Sequence, residues 1–410
     1  MYDYDVAVVG AGAAGMLAAA RAGERGLHVV LLEKNHKAGV KILMSGGTRC
    51  NLTQATDRRG IVEAFGPQGN FLHSALAALG PDELVALFKA EGVPTKVEPT
   101  GKVFPVSNRA LDVRDALLRL VRRAGVELRL GDGVTQLATS ETGFAIQTER
   151  RELSAEKVIL TSGGQSYPGC GTTGDGYAWA KQLGHKIVPP RPSLVPLVSS
   201  VRWIRELRGV TIADVRVQIW EGESAKPVAE RRGSFLFTHF GISGPVIMDV
   251  SRAVTARPDA DDWRAVCDFL PGHSREQLLE VFAQGASSDG KRNVRAVIGQ
   301  WLPQRLAETL TIEAGLQTDQ RLAELSKASR RRLVDALKAH PIPIQGSLGF
   351  KKAEVTAGGI DLSEIDSRTM QSKLVPGLYV AGEILDLDGP IGGYNFQAAF
   401  STGWLAGESV

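Results

Sequence analysis

The hydrophobic pattern near the N-terminus predicts a strand, a helix and a second strand in succession. Residues 6–9 form a continuous apolar run that ends at a glycine, as expected for a strand buried on both faces. Residues 11–25 are rich in alanine, contain no proline and precede Gly26, which favours a helix closed by a C′ glycine. Residues 28–33 form a second strand-like run that ends in an acid. Together these segments predict one βαβ unit of a parallel sheet.

Further along the chain, the pattern predicts alternating helices and strands up to about residue 190. Predicted helices cover residues 71–79, 81–90, 111–123 and a short stretch after 176; predicted strands cover 126–130, 134–137, 144–148 and 158–161. Short strands then dominate from 194 to 250, and helical spacing dominates from 275 to 339. The proline runs at 189–192 and 341–343 indicate boundaries. Four segments are therefore expected: residues 1–190 and 346–410 as two parts of one domain, 191–273 as a β-rich insertion and 274–345 as a helical insertion.

Composition narrows the function classes only slightly. The chain has 410 residues, of which 43% are hydrophobic and 23% charged, with a net charge of +3. This length suggests two or three domains, and the small charge without an extended basic and aromatic stripe predicts no nucleic-acid partner. The basic run 330–332 is expected to be a solvated helix face. The three cysteines are far apart and form no CxxC, so we expect no metal site and a reduced, cytoplasmic protein. No apolar run is long enough for a membrane span.

A phosphate-binding fingerprint lies between the first strand and the first helix. Gly10, Gly12 and Gly15 form GxGxxG: the first permits the tight turn, the second lets the backbone approach a pyrophosphate, and the third allows close helix packing. Anions are favoured at the helix N-terminus, where N–H groups are free. Glu33 ends the next strand 18 residues after Gly15, where its carboxylate can accept both ribose hydroxyls and repel a 2′-phosphate.

Three later segments favour FAD over NAD as the dinucleotide. Residues 41–51 (KILMSGGTRCN) form a basic, glycine-bearing segment directly after the ribose acid, predicted to be a loop beside the pyrophosphate and the flavin. Residues 158–164 (VILTSGG) resemble the segment where the chain re-enters an FAD domain, and residues 378–383 (LYVAGE) resemble the late strand whose terminal acid meets the ribityl chain. An NAD domain does not need this third segment.

Four longer blocks carry a resemblance to a known family. They are SGGTRCN at 45–51, SYPGCGTTGDGY at 166–177, FTHFGISGP at 237–245 and AGEILDLDGPIGGYNFQAAFSTG at 381–403. The chain resembles the bacterial FAD/NAD(P)-binding flavoproteins that include aminoacetone oxidases and bile-acid dehydro-steroid reductases. The resemblance implies an α/β fold: a Rossmann-like, two-dinucleotide-binding FAD domain of the glutathione-reductase type, interrupted by the two insertions, which would cover the substrate side.

The fingerprint, the later segments and the resemblance together give a set of expected FAD-binding residues. The set comprises Gly10, Gly12, Ala13, Ala14, Gly15, Glu33, Lys34, Lys41, Ser45, Gly46, Gly47, Arg49, Cys50, Asn51, Val134, Thr161, Gly163, Gly382, Glu383, Gly392, Gly393, Asn395 and Phe396. One departure stands out, because the family usually has a third glycine where this chain has Thr48. If that position needs a positive φ, the threonine is costly.

The substrate end of the site is less defined by sequence. By resemblance, the helix that follows Gly392 and Gly393 directs its positive end at the flavin, where it would stabilise the reduced ring. Three residues are candidate proton donors: Tyr167 and Tyr394 in glycine-rich loops, and His239, for which a core position between two phenylalanines is the alternative. The acids Asp386 and Asp388 suit either loop capping or acid–base chemistry.

These observations predict an FAD-dependent oxidoreductase in which flavin N5 exchanges hydride with a small organic substrate. No second GxGxxG directly follows a later strand, so NAD(P)H would bind only transiently as reductant. Reduction of an activated double bond is favoured. Three alternatives remain: a flavin amine oxidase, an FAD-dependent RNA-modifying or RNA-binding protein, and a flavin-binding protein without turnover whose partner binding is linked to its redox state. The pattern does not indicate an oligomeric state.

Overall fold

The computed structural model describes residues 2–410, and the chain divides into two compact units. One unit contains the chain up to Pro192 together with Glu354–Val410, and the other contains Ser193–Ala353. The β-rich and helical segments, expected to be separate insertions, share one hydrophobic core in the second unit. The first proline run, 189–192, ends at the boundary between the units, although it lies within the strand Ile187–Ser193. The second run lies inside the strand His340–Ile344, and the second boundary follows ten residues later, after Ala353.

A seven-stranded sheet forms the centre of the first unit. Its order is Glu127–Leu130, Val29–Glu33, Tyr4–Val9, Glu152–Leu160, Phe144–Thr148 and Val134–Thr139, with Leu378–Val380 also paired to Glu152–Leu160. The first four strands and Leu378–Val380 are parallel, whereas Phe144–Thr148 and Val134–Thr139 form an antiparallel hairpin. This arrangement confirms the predicted α/β fold class and each strand predicted in this part of the chain.

Alternate residues of the central strand pack on opposite faces of the sheet. Val6 and Val8 lie in one core with the helices Ala13–Glu24 and Ala110–Arg123, and Ala7 and Val9 lie in the other. Because both faces are covered, the strand shows no alternation of apolar and polar residues. The continuous apolar runs of the sequence therefore have a direct structural cause.

The remaining elements of the first unit cover the sheet or flank it. The helices are Val40–Thr48, Arg58–Ala64, His73–Ala78, Pro81–Ala90, Asp175–Gln182 and Tyr394–Ser409, with 3-10 turns at Gly66–Leu72, Pro168–Cys170 and Leu362–Glu364. Residues 71–79, predicted as one helix, thus begin in a 3-10 turn. A small sheet contains Thr53–Gln54, Lys102–Pro105 and Thr95–Val97, and another pairs Ile187–Ser193 with Val355–Ile360.

The first and last helices pack through glycine. A Cβ at Gly403 would overlap the carbonyl oxygen of Ala14, and a Cβ at Gly407 would overlap that of Ala18. On the other side of the first helix, a Cβ at Gly15 would overlap the carbonyl oxygen of Gly10. Ala13–Glu24 is therefore held between the sheet and Tyr394–Ser409 with no room for side chains at these contacts.

The second unit combines an antiparallel sheet with helices. Its strand order is His340–Ile344, Trp263–Asp268, Thr211–Glu221, Ala229–Phe237, Gly241–Ser243, Leu197–Val198 and Gly346–Ser347. The helices are Arg202–Glu206, Pro245–Thr255, Arg275–Ser288, Val294–Ile298, Gln304–Glu313 and Lys327–Lys338, with a 3-10 turn at Leu322–Glu324. As predicted, Arg331 is exposed on the Lys327–Lys338 helix, whose opposite face buries Leu333 and Leu337.

Within residues 2–410, no single helix is long and apolar enough to cross a membrane. One bent pair, Gly66–Ala78 with Pro81–Ala90, passes the same test by length and composition.

We predict that His340 makes the stability of the second unit depend on pH. Its imidazole is 8% exposed and contacts Trp203 edge-on, with 5.2 Å between ring centroids. Burial lowers its pKa from 6.5 to about 4. The stabilisation is complete above pH 6.5 and is lost as pH falls towards 4, because the unfolded chain then binds the extra proton; its full size is about 3 kcal/mol.

The measurement is urea unfolding of wild type and His340→Phe between pH 7 and pH 4. The variant keeps an aromatic ring and should lose less stability on acidification than wild type. His273→Phe is the matched control, since His273 also contacts a tryptophan ring but is only half-buried. Parallel curves for wild type and His340→Phe would contradict the assignment.

Candidate cofactor site

The three glycines of the fingerprint have three different environments. Gly10 has φ +102°, and a Cβ there would lie 2.7 Å from the carbonyl oxygen of Thr161. Gly15 is in contact with the Gly10 carbonyl, as described above. By contrast, a Cβ at Gly12 would meet nothing within 4 Å among the described residues, although Gly12 caps the helix Ala13–Glu24. The free space at this helix N-terminus is where a pyrophosphate would be accepted.

Glu33 is positioned next to this turn by the end of its strand. Its carboxylate accepts hydrogen bonds from the Ala11 N–H (2.9 Å), the Asn35 N–H (2.9 Å) and the Asn35 side-chain amide (2.7 Å). The side chain is thus fixed in orientation, and a carboxylate has about four acceptor positions, so capacity remains for a ribose hydroxyl.

The carboxyl ends of three parallel strands meet beside the glycine turn. Val9 pairs with Leu160, and Leu160 pairs with Val380, so Gly10, Thr161 and Ala381 begin three adjacent loops. The Thr161 hydroxyl donates to the carbonyls of Val9 (2.9 Å) and Gly10 (3.0 Å). Thr161, expected among the cofactor ligands, therefore holds the glycine turn in place through its side chain.

Residues 41–51 differ from the predicted loop. They begin within the helix Val40–Thr48, whose regular geometry ends at Ser45. Gly46 (φ +55°) and Gly47 (φ +67°) then adopt left-handed conformations. Both glycines are exposed, and the backbone turns at them, so the prediction of a glycine loop holds only for its second half. Thr48 has φ +68°, which confirms that this threonine occupies a conformation suited to glycine.

Arg49, Cys50 and Asn51, which follow this turn, have three separate environments. Arg49 forms an ion pair with Glu98 (2.6 Å) and lies over the ring of Phe104. Cys50 is fully buried in a core cluster, and burial raises the pKa of its thiol to about 12. Asn51 is 9% exposed, and within residues 2–410 its side-chain oxygen has no hydrogen-bond partner. The Cys50 side chain belongs to the core.

A polar network joins four separate parts of the chain. The Lys41 ammonium donates to Glu383 (2.5 Å) and to the hydroxyl of Ser166 (2.7 Å). Glu383 also accepts from the Ser166 hydroxyl (2.6 Å) and from the Thr356 N–H (2.9 Å). The Thr356 hydroxyl in turn accepts from the N–H groups of Gln165 and Ser166.

This network was only partly visible in the sequence. Lys41 and Glu383 were expected to meet the cofactor, and they form an ion pair with each other across 342 residues of sequence. Ser166 lies in a matched block but was not selected, and Thr356 lies in a short strand with no motif. A hydroxyl residue in a glycine-rich block is a signal that would have identified Ser166.

The C-terminal helix begins at the last glycine-rich turn. Gly392 has φ +134° and Gly393, the helix N-cap, has φ +97°. The Asn395 side chain hydrogen-bonds to both backbone groups of Gly389 (2.8 and 3.0 Å), so it shapes this turn from within. Phe396 packs on Phe400 in the core. Among the described residues, no side chain caps this helix, and a helix N-terminus favours a negatively charged or electron-rich ligand.

The three proposed proton donors lie in different settings. Tyr394 is the first residue of the C-terminal helix and is half-buried. Tyr167 has φ +52° and precedes a 3-10 turn; burial raises the pKa of its phenol. His239 lies in the second unit, at the exposed tip of the hairpin between Ala229–Phe237 and Gly241–Ser243. The alternative that His239 is a core residue is wrong.

Other expected ligands take structural roles at the edge of the site. Lys34 pairs with Asp175 (2.5 Å) and Thr173 (2.6 Å) of the matched block 166–177. Val134 is the first residue of its strand and packs against a core cluster. Gly163 (φ +75°) and Gly382 (φ +81°) supply the turns after two of the central strands. Ser45 donates to the carbonyl of Ile42 before the break in the helix.

Asp386 and Asp388 lie in the loop after Glu383 and are both largely shielded from solvent. Burial and the charge of Asp388 raise the pKa of Asp386, although its carboxylate also accepts a hydrogen bond from the Gly358 N–H (3.0 Å). This bond supports the loop-capping alternative. Within the described part of the chain, no group of three potential metal ligands is found.

Comparison with known proteins identifies the family. The sequence profile described as "HI0933-like protein Rossmann domain" matches residues 4–409. The chain belongs to this family of FAD-binding oxidoreductases. The recognised resemblance and the predicted enzyme class are therefore confirmed.

Two curated relatives align over nearly the full length of this family member. The ribosomal RNA dihydrouridine synthase of Escherichia coli strain K12 is 33% identical over 100% of this chain and 98% of its own length. The 3-dehydro-bile acid delta(4,6)-reductase of Clostridium scindens is 30% identical over 99% of this chain and 98% of its own length. Among solved structures, a variant of quinol fumarate reductase FrdA from Escherichia coli is 16% identical with a TM-score of 0.51, covering 99% of this chain and 69% of that one, which supports the fold alone.

The residues present fit FAD. The open space at Gly12, the oriented Glu33 carboxylate and the uncapped C-terminal helix suit a pyrophosphate, a ribose and an electron-rich ring respectively. All three lie in the first unit.

We predict that Gly12→Ala and Gly15→Ala separate cofactor binding from folding. The Gly12 methyl group would enter the open space, so the apoprotein should keep its stability while FAD affinity falls at least tenfold. The Gly15 methyl group would overlap the Gly10 carbonyl and should destabilise the apoprotein by about 1–3 kcal/mol. Thermal unfolding of the apoproteins and fluorescence titration with FAD measure the two effects. If Gly12→Ala bound FAD with wild-type affinity, the assignment of the pyrophosphate to this turn would be refuted.

We also predict that Thr48→Gly stabilises the protein. A left-handed conformation costs a non-glycine residue roughly 1–2 kcal/mol, and glycine's greater unfolded-state freedom offsets part of the gain. A net increase of about 0.5–1 kcal/mol is expected from denaturant unfolding. Gly47→Ala is the matched control, because Gly47 has nearly the same φ and, within the described chain, nothing within 4 Å of its Cβ position. It should destabilise by about 1 kcal/mol, and a destabilising Thr48→Gly would contradict the strain argument.

Proposed function

We propose that this flavoprotein reduces a carbon–carbon double bond conjugated to a carbonyl group. The supporting observation is that two full-length relatives are named for this chemistry on different substrates. A dihydrouridine synthase reduces the ring double bond of uracil, which is conjugated to a carbonyl, and a delta(4,6)-reductase acting on a 3-dehydro bile acid reduces double bonds conjugated to a ketone. The shared element is the bond reduced, and the substrates differ in everything else.

The chain's own residues would bind and orient the reacting groups. FAD, when bound, supplies a hydride from its reduced ring. Gly12 and Glu33 would hold its adenosine-diphosphate half, and the N-terminus of the helix Tyr394–Ser409 would hold the electron-rich edge of the ring. The Lys41–Glu383 pair keeps the intervening loops in place by joining them directly.

The substrate also needs a proton at the carbon next to its carbonyl group. Tyr167 and Tyr394 remain the candidate donors in the first unit. A phenol is protonated at neutral pH, as a donor requires, and burial shifts the pKa of Tyr167 further upwards. Replacing either tyrosine by phenylalanine would remove the proton and keep the ring.

A uracil ring in RNA is the first candidate substrate. It is favoured by the 33% identity to the Escherichia coli synthase over the whole chain and by the distribution of charge. Ser193–Ala353 contains 23 basic and 18 acidic residues, a net charge of +5, whereas the rest of the chain has 25 and 27, a net charge of −2. The net charge of the whole chain is small, and no nucleic-acid partner was expected from it. It is the sum of a basic second unit, which suits an RNA backbone, and a slightly acidic first unit.

A steroid enone is the second candidate substrate, supported by the 30% identity to the bile-acid reductase. For either substrate we infer that NADH or NADPH reduces the protein transiently. The other GxGxxG within residues 2–410, at 169–174, begins nine residues after the strand Glu152–Leu160 and so does not form the direct strand-to-helix turn of a second dinucleotide domain.

The deciding experiment offers the holoenzyme three substrates under anaerobic conditions with NADH or NADPH. These are an unmodified ribosomal RNA transcript, a 3-oxo steroid with conjugated double bonds, and a small primary amine. We expect mass spectrometry to show a gain of two hydrogens in a uridine of the RNA and slower formation of that product with Tyr167→Phe or Tyr394→Phe. A gain of two hydrogens in the steroid alone would select the second candidate, whereas flavin reduction by the amine alone would show an oxidase and overturn the reductase.

A further inference from the structure

We propose that a basic patch around the hairpin tip Thr238–Phe240 in the second unit binds the phosphate backbone of RNA. The patch is defined by Arg205, Arg208, Arg305, His239 and Phe240. It deepens the proposed function, on which the identity of its partner rests. No motif marks these arginines in the sequence.

Backbone hydrogen bonds bring the members of the patch together. The Ser199 N–H donates to the Phe240 carbonyl (3.0 Å), and the Gly209 N–H donates to the Phe237 carbonyl (2.9 Å). The hairpin tip is thereby held against both ends of the segment that carries the helix Arg202–Glu206. Trp203, within this helix, packs edge-on against Phe237 of the hairpin, with ring centroids 5.9 Å apart.

Arg305 joins the same surface from another part of the sequence. It is the second residue of the helix Gln304–Glu313, and its guanidinium donates to the carbonyl oxygens of Glu206 and Arg208. Because it bonds to carbonyl groups and not to a carboxylate, its positive charge is not neutralised there.

The charges of the patch are mostly uncompensated. Arg205 and Arg208 are both exposed, and neither forms an ion pair with any residue between 2 and 410. The one acid of this helix, Glu206, is paired with Arg202 (2.8 Å). Three guanidinium groups therefore remain to attract an anion, and Arg is the side chain whose fork geometry matches phosphate.

An aromatic group accompanies the arginines. His239 is exposed, and its ring lies 4.9 Å from that of the half-buried Phe240. Single-stranded RNA is bound by combining cationic groups along the backbone with rings on which bases stack. The patch offers both, whereas the basic run 330–332 lies on a regular helix face without an aromatic residue among its three members.

The test uses the full-length holoenzyme and the double variant Arg205→Gln/Arg208→Gln. Arg305 is left in place because it ties two backbone segments together. The matched control is Arg330→Gln/Arg331→Gln, which removes the same charge from the same unit. The control site lies near the opposite end of the Gln304–Glu313 helix from Arg305. Arg332, next to the two control residues, donates to the carbonyl of Ala314, which follows Arg305 by nine residues and so by about 13 Å along the helix axis.

Binding of an unmodified ribosomal RNA transcript is titrated at several salt concentrations, with FAD content and steroid reduction measured in parallel. The patch variant should bind roughly tenfold more weakly, and the slope of log K against log salt should fall by about 1.4 for two lost single-strand contacts. The control should bind like wild type, and all three proteins should retain FAD and any steroid-reducing activity.

Each other outcome separates the patch from the proposed function. If both double variants weaken binding equally, total charge is responsible and the patch is refuted. If no protein binds the RNA although all reduce a conjugated double bond, the patch is refuted and the reductase stands. If wild type binds RNA through the patch but reduces none of the substrates, the patch stands and the proposed reductase falls.

Discussion

The architecture of the first unit depends on one steric constraint: the helix Ala13–Glu24 has no room for side chains at its main backbone contacts. Gly15 lies against the carbonyl of Gly10, and Gly403 and Gly407 lie against the carbonyls of Ala14 and Ala18. Close approach on one side forms the phosphate-binding turn. Close approach on the other brings the C-terminal helix to the same sheet, and with it the uncapped N-terminus at Gly393. A single packing requirement therefore assembles both ends of the cofactor site.

Many groups in the site are already satisfied by other groups of the protein. Glu33 holds the Ala11 and Asn35 amides, Thr161 holds the glycine turn, and Lys41 is paired with Glu383. Buried polar groups without partners are costly, so these bonds stabilise the loops in one arrangement. The loops can thus present backbone N–H groups and glycine surfaces to a ligand without first being ordered by it.

The sequence predicted those features whose signals are local. The strand–turn–helix at Gly10, the acid at Glu33 and the strand at 378–380 each depend on residues within a short window, and the structure has all three elements. Thr48 is a further case, because the glycine that the family usually has at this position suggested the positive φ that the structure shows.

Features that depend on distant residues could not be read in this way. The pairing of Lys41 with Glu383 and the role of Thr356 follow from the meeting of strand ends, which no local pattern encodes. The proline run 189–192 coincides with the boundary after Pro192, whereas the run 341–343 does not mark a boundary, because proline is compatible with strands where its missing N–H is not needed. The core alternative for His239 was wrong because the strand Ala229–Phe237 ends just before it: Phe237 is buried in that strand, whereas His239 lies in the turn that follows and is exposed.

The division of the first unit into two stretches of sequence also affects biosynthesis. During translation the glycine turn emerges first, yet the strand Leu378–Val380 and the helix that covers Ala13–Glu24 are made only after the intervening 161-residue unit Ser193–Ala353. Until then one face of that first helix and one edge of the sheet have no neighbours. Capture of the flavin nucleotide is consequently a late event on the ribosome or after release, and the intervening unit has to fold while its host is still unfinished.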